Sequence, residues 1–326
     1  MTINHRIGGP DATVQELAAD QHGVVERGQA LAAGVTARMI ERRTASGRWV
    51  AVHPGVYRLA GAPASWQQRL VAATMATGGV ASHRAAARLW GLDVAPTERV
   101  VITVAGTSRR STRGVIVHHT RSLAGRDRAV LQGIPCTSAG RTLLDLAAEL
   151  AFDDLEAAVD SALRDGWASV HHLARWVPLS GRKGSAALRR LVEDRRANPP
   201  FGSRREALVC RLLVAAGVPM PRRQFELRAC DGRLVARFDL AWPEWRIAVE
   251  FASYRHHAGR RAWRRDATRA NWATAFGWRV FTATDLDVDD GCRALAAGLR
   301  QAAGSGREPP RGSSLELLRL DHRSGG

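Results

Sequence analysis

Two apolar runs near the C-terminal end, FDLAW (238–242) and RIAVEF (246–251), are each broken by a single acid, Asp239 and Glu250. A lone carboxylate inside an apolar strand is costly unless it is paired or bound to a cation. The fold must therefore give both acids a partner. If Pro243 and Glu244 form a two-residue turn, Trp242 faces Trp245 and Asp239 sits opposite Ala248. Glu250 then lies two steps further along the same strand. Side chains alternate with period two, so both acids project from one face. Their Cα atoms would lie about 7 Å apart, and a divalent cation with oxygen ligands at about 2.1 Å bridges that gap. The competing partners are guanidinium groups such as Arg237 and Arg255.

These strands belong to an α/β pattern. Helix SRREALVCRLLVAAG precedes strands RRQFELRA, RLVARFDLAW and WRIAVEFA, and a polar helix, GRRAWRRDATRANWATAFG, leads into a last strand, WRVFTAT. ANPPFGS (197–203) reads as the linker before them. Upstream, RVVITVAG and GVIVHHT read as strands among the helices IPCTSAGRTLLDLAAEL, FDDLEAAVDSALRDG, VHHLARWV and SAALRRLVEDR. At the N-terminal end, VQELAADQHG and VERGQALAAGV suggest two helices. Thr36 is the expected N-cap of a third, ARMIERRTASG, ended by Ser46-Gly47. RWVAVHPGVYRLAG then reads as a β-ribbon around Pro54-Gly55. Three short helices and a ribbon describe a winged helix-turn-helix.

The expected organisation is an α/β multidomain chain. It comprises a flexible lead (1–12), a winged helix-turn-helix (13–62), a mixed α/β middle domain (63–198), a C-terminal α/β domain with a mixed sheet (199–300) and a disordered tail (301–326). The 48 Lys+Arg against 31 Asp+Glu leave a net charge of +17, which favours a polyanionic partner such as DNA. All the basic residues except Lys183 are arginine. Cys136, Cys210, Cys230 and Cys292 are scattered and form no CxxC pair, which fits a reducing cytoplasm rather than a zinc ribbon or a disulfide framework. No apolar run approaches the roughly 20 residues that span a bilayer, so no membrane partner is expected.

The second helix of a helix-turn-helix enters the major groove led by its N-terminal residues. Here that helix carries Arg38, Arg42 and Arg43, the first two four residues apart on one face. Arg48, His53 and Arg58 on the ribbon are placed for phosphate or the minor groove. Phosphate contacts supply affinity; sequence choice rests on Arg38 and Arg42 at base edges.

HGVVERGQALAAGV, MIERRTASGRWVAVHPGVYRLAG, GVASHRAAARLWGL and GIPCTSAGRTLLDLA together resemble AbiEi-type antitoxins over roughly the first half of the chain. That resemblance implies a DNA-binding first domain that represses a toxin–antitoxin operon, a second domain needed for antitoxin action, and a toxin partner. From about Ser203 to Thr284, FDLAWPEWRIAVEF, RRDATRANWATAFGWRVF and the helix at Glu206 resemble the PD-(D/E)XK nuclease fold. The group matched is the one similar to very-short-patch-repair (Vsr) endonucleases, with a restriction-endonuclease-like domain. It implies that Asp239 and Glu250 hold Mg2+, with Mn2+ as a substitute, to activate water against a phosphodiester.

One position departs from that pattern. The group usually reads Glu-x-Asp-Gly followed by His, and here Ala252 and Ser253 stand instead. Alanine neither binds metal nor orients water. His256 or His257 is the substitute general base or ligand. Glu206 completes the metal site or, as part of Ser203-x-x-Glu206, closes a capping box on its own helix. Asp266 sits among arginines. Trp263, Trp272, Arg264, Arg265 and Arg269 mix aromatic and basic groups suited to stacking on bases and gripping phosphate. Two readings follow: a DNA-binding, antitoxin-like regulator with a degenerate endonuclease-like domain, or an active Mg-dependent DNA endonuclease guided by its winged helix.

Overall fold

A computed structural model of the protein describes residues 9–106, 112–176, 181, 183–252 and 273–304. Contacts divide the chain into two compact units, Met1–Val192 and Glu193–Gly326. Among the described residues it is a mixed α/β protein with three sheets. Among the described residues, no helix is long and apolar enough to cross a membrane.

The first unit opens with α1 (Pro10–Asp20), β1 (Val24–Glu26), α2 (Arg27–Ala32), α3 (Ala37–Ala45), β2 (Trp49–His53) and β3 (Val56–Leu59). The first helix starts inside the stretch expected to be a flexible lead. Pro10 at its first position has a φ already suited to the helix and no N–H to leave unsatisfied. Thr36 caps α3, its hydroxyl accepting from the Met39 N–H at 3.3 Å, and the helix ends at Ser46. Gly55, at φ +74°, makes the ribbon turn. Strand β1 is too short to show a period, yet it joins the ribbon in an antiparallel sheet of order β1-β3-β2. Val14, Val25, Ala30, Val35, Ile40 and Trp49 form the core beneath α3.

The rest of this unit comprises α4 (Trp66–Thr77), β4 (Val80–Ala81), α5 (His83–Trp90), β5 (Val100–Ala105), β6 (Val115–Thr120), β7 (Arg128–Leu131) and β8 (Ile134–Thr137). Four helices follow: α6 (Ala139–Leu146), α7 (Phe152–Arg164), α8 (Val170–Trp176) and α9 (Ser185–Ala197), the last of which belongs to the second unit from Glu193 onward. The five strands form one mixed sheet in the order β6-β5-β4-β8-β7, with β6 and β7 at the edges. Leu70, Ile102, Ile134 and Cys136 fill its core, and Val24 and Val56 of the first sheet join the same cluster. Residues on either side of position 62 therefore share one core. Burial pushes the Cys136 thiol up to about 12, so it stays an inert core thiol. Leu143, Leu146, Leu155, Val159, Leu188 and Leu191 pack the helices together.

The second unit holds α10 (Arg204–Ala215), β9 (Arg222–Arg228), β10 (Leu234–Trp242), β11 (Ile247–Phe251) and β12 (Arg279–Ala283), then helices Asp285–Asp289 and Arg293–Gly304. Strand order is β12-β11-β10-β9; the β11–β12 pair is parallel and the others antiparallel. Val209, Cys210, Leu213, Trp242, Ile247, Val249 and Leu299 make one core cluster, and Phe238, Ala241, Ala248 and Trp278 belong to another. The last helix continues past residue 300, where the tail was expected to begin.

ANPPFGS does not behave as a free linker. Phe201 is buried in the core of the second unit, its ring 4.0 Å from the Arg223 guanidinium and 5.2 Å from that of Arg195. Asp194 pairs with both arginines, at 2.7 Å from Arg223. The aromatic ring carries enough apolar area to override the Pro-Pro turn signal beside it.

Candidate nucleic-acid interface and carboxylate cluster

Helix α3 buries Ile40 and Arg43 and exposes Arg38 and Arg42 one turn apart, with Arg48 also exposed at the start of the ribbon. These three are open to solvent. Arg43 is not, which corrects the expectation of a phosphate contact there. It is 3 % exposed, pairs with Asp11, and its guanidinium lies 5.0 Å from the centre of the Trp49 ring. The i+3 step from Ile40 turns it into the core, where its charge ties α3 to α1 and the ribbon. Arg43→Ala is expected to lower unfolding stability by about 1–3 kcal/mol through lost packing and pairing. It should leave the DNA affinity of the folded protein unchanged, as chemical denaturation and anisotropy titration would show.

Arg58 is half-buried and donates to the Ala62 carbonyl at 2.6 Å, so it closes the ribbon's exit before it meets any ligand. Burial lowers the His53 pKa below its ordinary 6.5. Burial thus disfavours a positive charge on that imidazole.

In the second unit the turn between β10 and β11 is longer than two residues. Pro243–Trp245 form a single 3-10 turn and Arg246 takes a left-handed φ of 51°. The register is Ala241 opposite Ala248 and Leu240 opposite Val249. Continued one step, it sets Asp239 across from Glu250 rather than across from Ala248. The shift is two residues, which would keep parity, but alternation breaks at Asp239: Phe238 packs in the cluster of Ala241 and Ala248, and Leu240 in that of Trp242 and Val249. Beyond Leu240 the ladder gives way: the Phe251 N–H donates to Asp239 Oδ2 at 3.0 Å. Ala252 follows, half-buried, with its N–H on the Ala283 carbonyl at 2.9 Å.

Glu206 closes its own helix start in a variant of the expected capping box. Ser203 Oγ accepts from the Glu206 N–H at 3.2 Å, and Glu206 Oε2 accepts from the Gly202 N–H at 2.8 Å, one residue before the expected cap donor. The same Oε2 accepts from Gln224 Nε2 at 2.9 Å, and that amide also lies 3.5 Å from Asp239 Oδ1. Gln224 thus links the helix acid to the strand acid. Gly202 makes room for this: a Cβ there would meet both Glu206 carboxylate oxygens at 2.8 Å.

His256, His257, Trp263, Arg264, Arg265, Asp266, Arg269 and Trp272 lie outside the described residues, as does Arg255.

Residues 13–60 match the family model described as "Transcriptional regulator, AbiEi antitoxin", and residues 77–194 match "AbiEi antitoxin C-terminal domain". Two uncharacterized proteins of Mycobacterium tuberculosis, MT2308 and Rv2248, are each 30% identical over 261 residues, which cover 78% of this chain and 92% of theirs. The chain carries the AbiEi antitoxin N-terminal and C-terminal domains.

The first AbiEi segment contains all of α3 and the ribbon, and with them the three exposed arginines. The second contains a cleft of about 510 Å3 lined by His83, His118, His119, Arg121, Arg141 and Lys183, among others. Sequence reasoning placed no functional residue there, because its histidines come from distant positions with no ligand-like spacing. Gln224 was missed for a different reason: a single amide at a strand end carries no pattern of its own.

Proposed function

We propose that the protein is an antitoxin-type transcriptional regulator whose first 60 residues form a winged helix-turn-helix that binds operator DNA. The observation that carries this reading is the pair Arg38 and Arg42, exposed one turn apart on the capped helix α3. The helix follows α1 and α2 and precedes the β2–β3 ribbon, the chain order of such a motif. Arg48 on the ribbon supplies a phosphate contact beside it. A toxin protein is the proposed second partner, as the family description "antitoxin" indicates.

The test is a mobility-shift titration with the DNA upstream of its own gene against shuffled DNA of the same length, over a series of salt concentrations. Specific binding should exceed non-specific binding by at least a thousandfold. Equal, salt-sensitive affinity for both DNAs would reduce the protein to a general polyanion binder and end the regulatory reading.

A second reading, an endonuclease-like C-terminal unit, is favoured by the link from Glu206 through Gln224 to Asp239, with Glu250 on the neighbouring strand β11. The donors are oxygens, which fit a hard cation of the Mg2+ class. Asp239 and Glu250 would hold it, and bound there it would activate water and offset phosphate charge. The side chains themselves set the geometry: Phe251 N–H and Gln224 orient Asp239, and the Gly202 N–H orients Glu206. Ala252 contributes no third acid. Nicking of supercoiled DNA with Mg2+ or Mn2+ should fall at least a hundredfold in Asp239→Ala; equal rates in the two proteins would remove Asp239 from the chemistry.

A further inference from the structure

The AbiEi C-terminal segment holds a cluster that the DNA-binding reading does not use. His83, His118 and Glu149 bring one ligand atom each to within 4.8 Å of one another, with His83 Nε2 at 3.6 Å from Glu149 Oε1. The geometry points to a binding site for a first-row transition ion of the zinc class, held by these three side chains.

Four observations carry the assignment. The donors are two imidazoles and one carboxylate, the set that zinc accepts, with a fourth position left for water or an anion. His83 sits 9 % exposed at the start of α5 with a φ of 53°, a conformation rare for a residue with a side chain. Such strain persists only where the surroundings impose it, and functional sites are where it concentrates. The other nitrogen, Nδ1, is 3.0 Å from Ser82 Oγ, and Ser82 Oγ accepts from the buried Thr103 hydroxyl at 2.7 Å. When Nδ1–H donates to Ser82, the Nε2 lone pair faces Glu149, which is how an outer hydrogen bond prepares a histidine for metal. Finally, Thr103 stands next to His118 in the β5–β6 ladder, so one pair of positions supplies both a ligand and the support of the other ligand.

The two imidazoles are stacked, with ring centres 3.8 Å apart and an angle of 20° between them. An ion lies near the plane of each ring that binds it, so binding turns His118 out of the stack. His118 is half-buried on an edge strand, where such a rotation costs little packing. Glu149 side chain is 34% exposed, which leaves a path for the ion. Arg141 does not block the site electrostatically: it lies 2.9 Å from Asp145 and 3.5 Å from Asp127. With a dication bound, the cleft beside it, which also holds Arg121 and Lys183, becomes attractive to an anion in the fourth position.

The experiment uses the full chain, stripped with chelator and titrated with Zn2+ against a chromophoric competitor, then with Co2+. One equivalent should bind competitively, and Co2+ should give the intense visible bands of a four-coordinate site. His118→Ala and Glu149→Gln should each weaken Zn2+ binding at least tenfold, and Thr103→Val about tenfold through His83. Asp239→Ala should retain full affinity, which separates this site from the carboxylate cluster of the second unit. Unchanged affinity in His118→Ala, or loss of the bound equivalent in Asp239→Ala, overturns the assignment. Circular dichroism and melting curves accompany each variant. Should His118→Ala unfold, the comparison moves to Glu149→Gln, at a residue partly exposed to solvent, and unchanged affinity there overturns the assignment equally.

Discussion

Arg38→Ala is expected to weaken binding to the preferred operator by about 1–3 kcal/mol, roughly 5- to 150-fold, and to change binding to shuffled DNA far less. The residue is exposed in the first turn of α3, the part of such a helix that meets base edges. Arg42 lies one turn further along the same face, so Arg38→Ala/Arg42→Ala should bring operator affinity close to the non-specific level. Arg48→Ala is the contrast: a phosphate contact there predicts uniform weakening and a salt slope shallower by about one. Fluorescence anisotropy on both DNAs at several salt concentrations separates the cases. An Arg38→Ala loss that is equal on both would make α3 a phosphate-gripping helix and move sequence readout elsewhere.

Asp194→Ala is expected to destabilise the second unit by about 3 kcal/mol. Removing one partner of a buried charge pair costs about 3–5 kcal/mol because the surviving charge stays buried. The lower end applies here, since the Asp194 carboxylate is one-third exposed. Two buried guanidinium groups, Arg195 at 4 % and Arg223 at 8 % exposure, would lose this carboxylate beside the Phe201 ring. Burial works to raise the Asp194 pKa, but the hydrogen bond and charge of Arg223, with those of Arg195, outweigh it and hold the carboxyl below its usual 3.8. A depressed carboxylate stabilises the fold above its unfolded value, and that contribution disappears as pH falls through the folded value. The natural protein should therefore lose this increment only below about pH 4, and Asp194→Ala should lack it at every pH. Urea melts at pH 7 and pH 3.5 provide the measurement. Equal stability of the two proteins at pH 7 would show that water already screens the arginines.

The Asp194 cluster also shows why part of the chain misled a linear reading. Two prolines and a glycine in ANPPFGS carry a strong turn signal, yet Phe201 beside them is drawn into a core made of residues far along the chain. Arg43 misled in the opposite direction. Its charge suggests DNA, and only the angular position three residues after Ile40 tells that it points inward. By contrast, the Thr36 cap, the Ser46 stop and the Pro54-Gly55 turn were legible, because caps and turns are satisfied by neighbours in sequence.

The acids illustrate the division most clearly. Period-two alternation by itself set the expectation that Asp239 and Glu250 share a face, and the turn longer than two residues moved their register by two. Local pattern likewise determined the α/β character and the exposed pair Arg38 and Arg42. Which residues stand opposite each other, the bridge that Gln224 makes between Glu206 and Asp239, and the meeting of His83, His118 and Glu149 were decided only by tertiary structure. Periodicity survives any even shift of register, whereas a contact between distant side chains depends on how each strand and helix closes against the others.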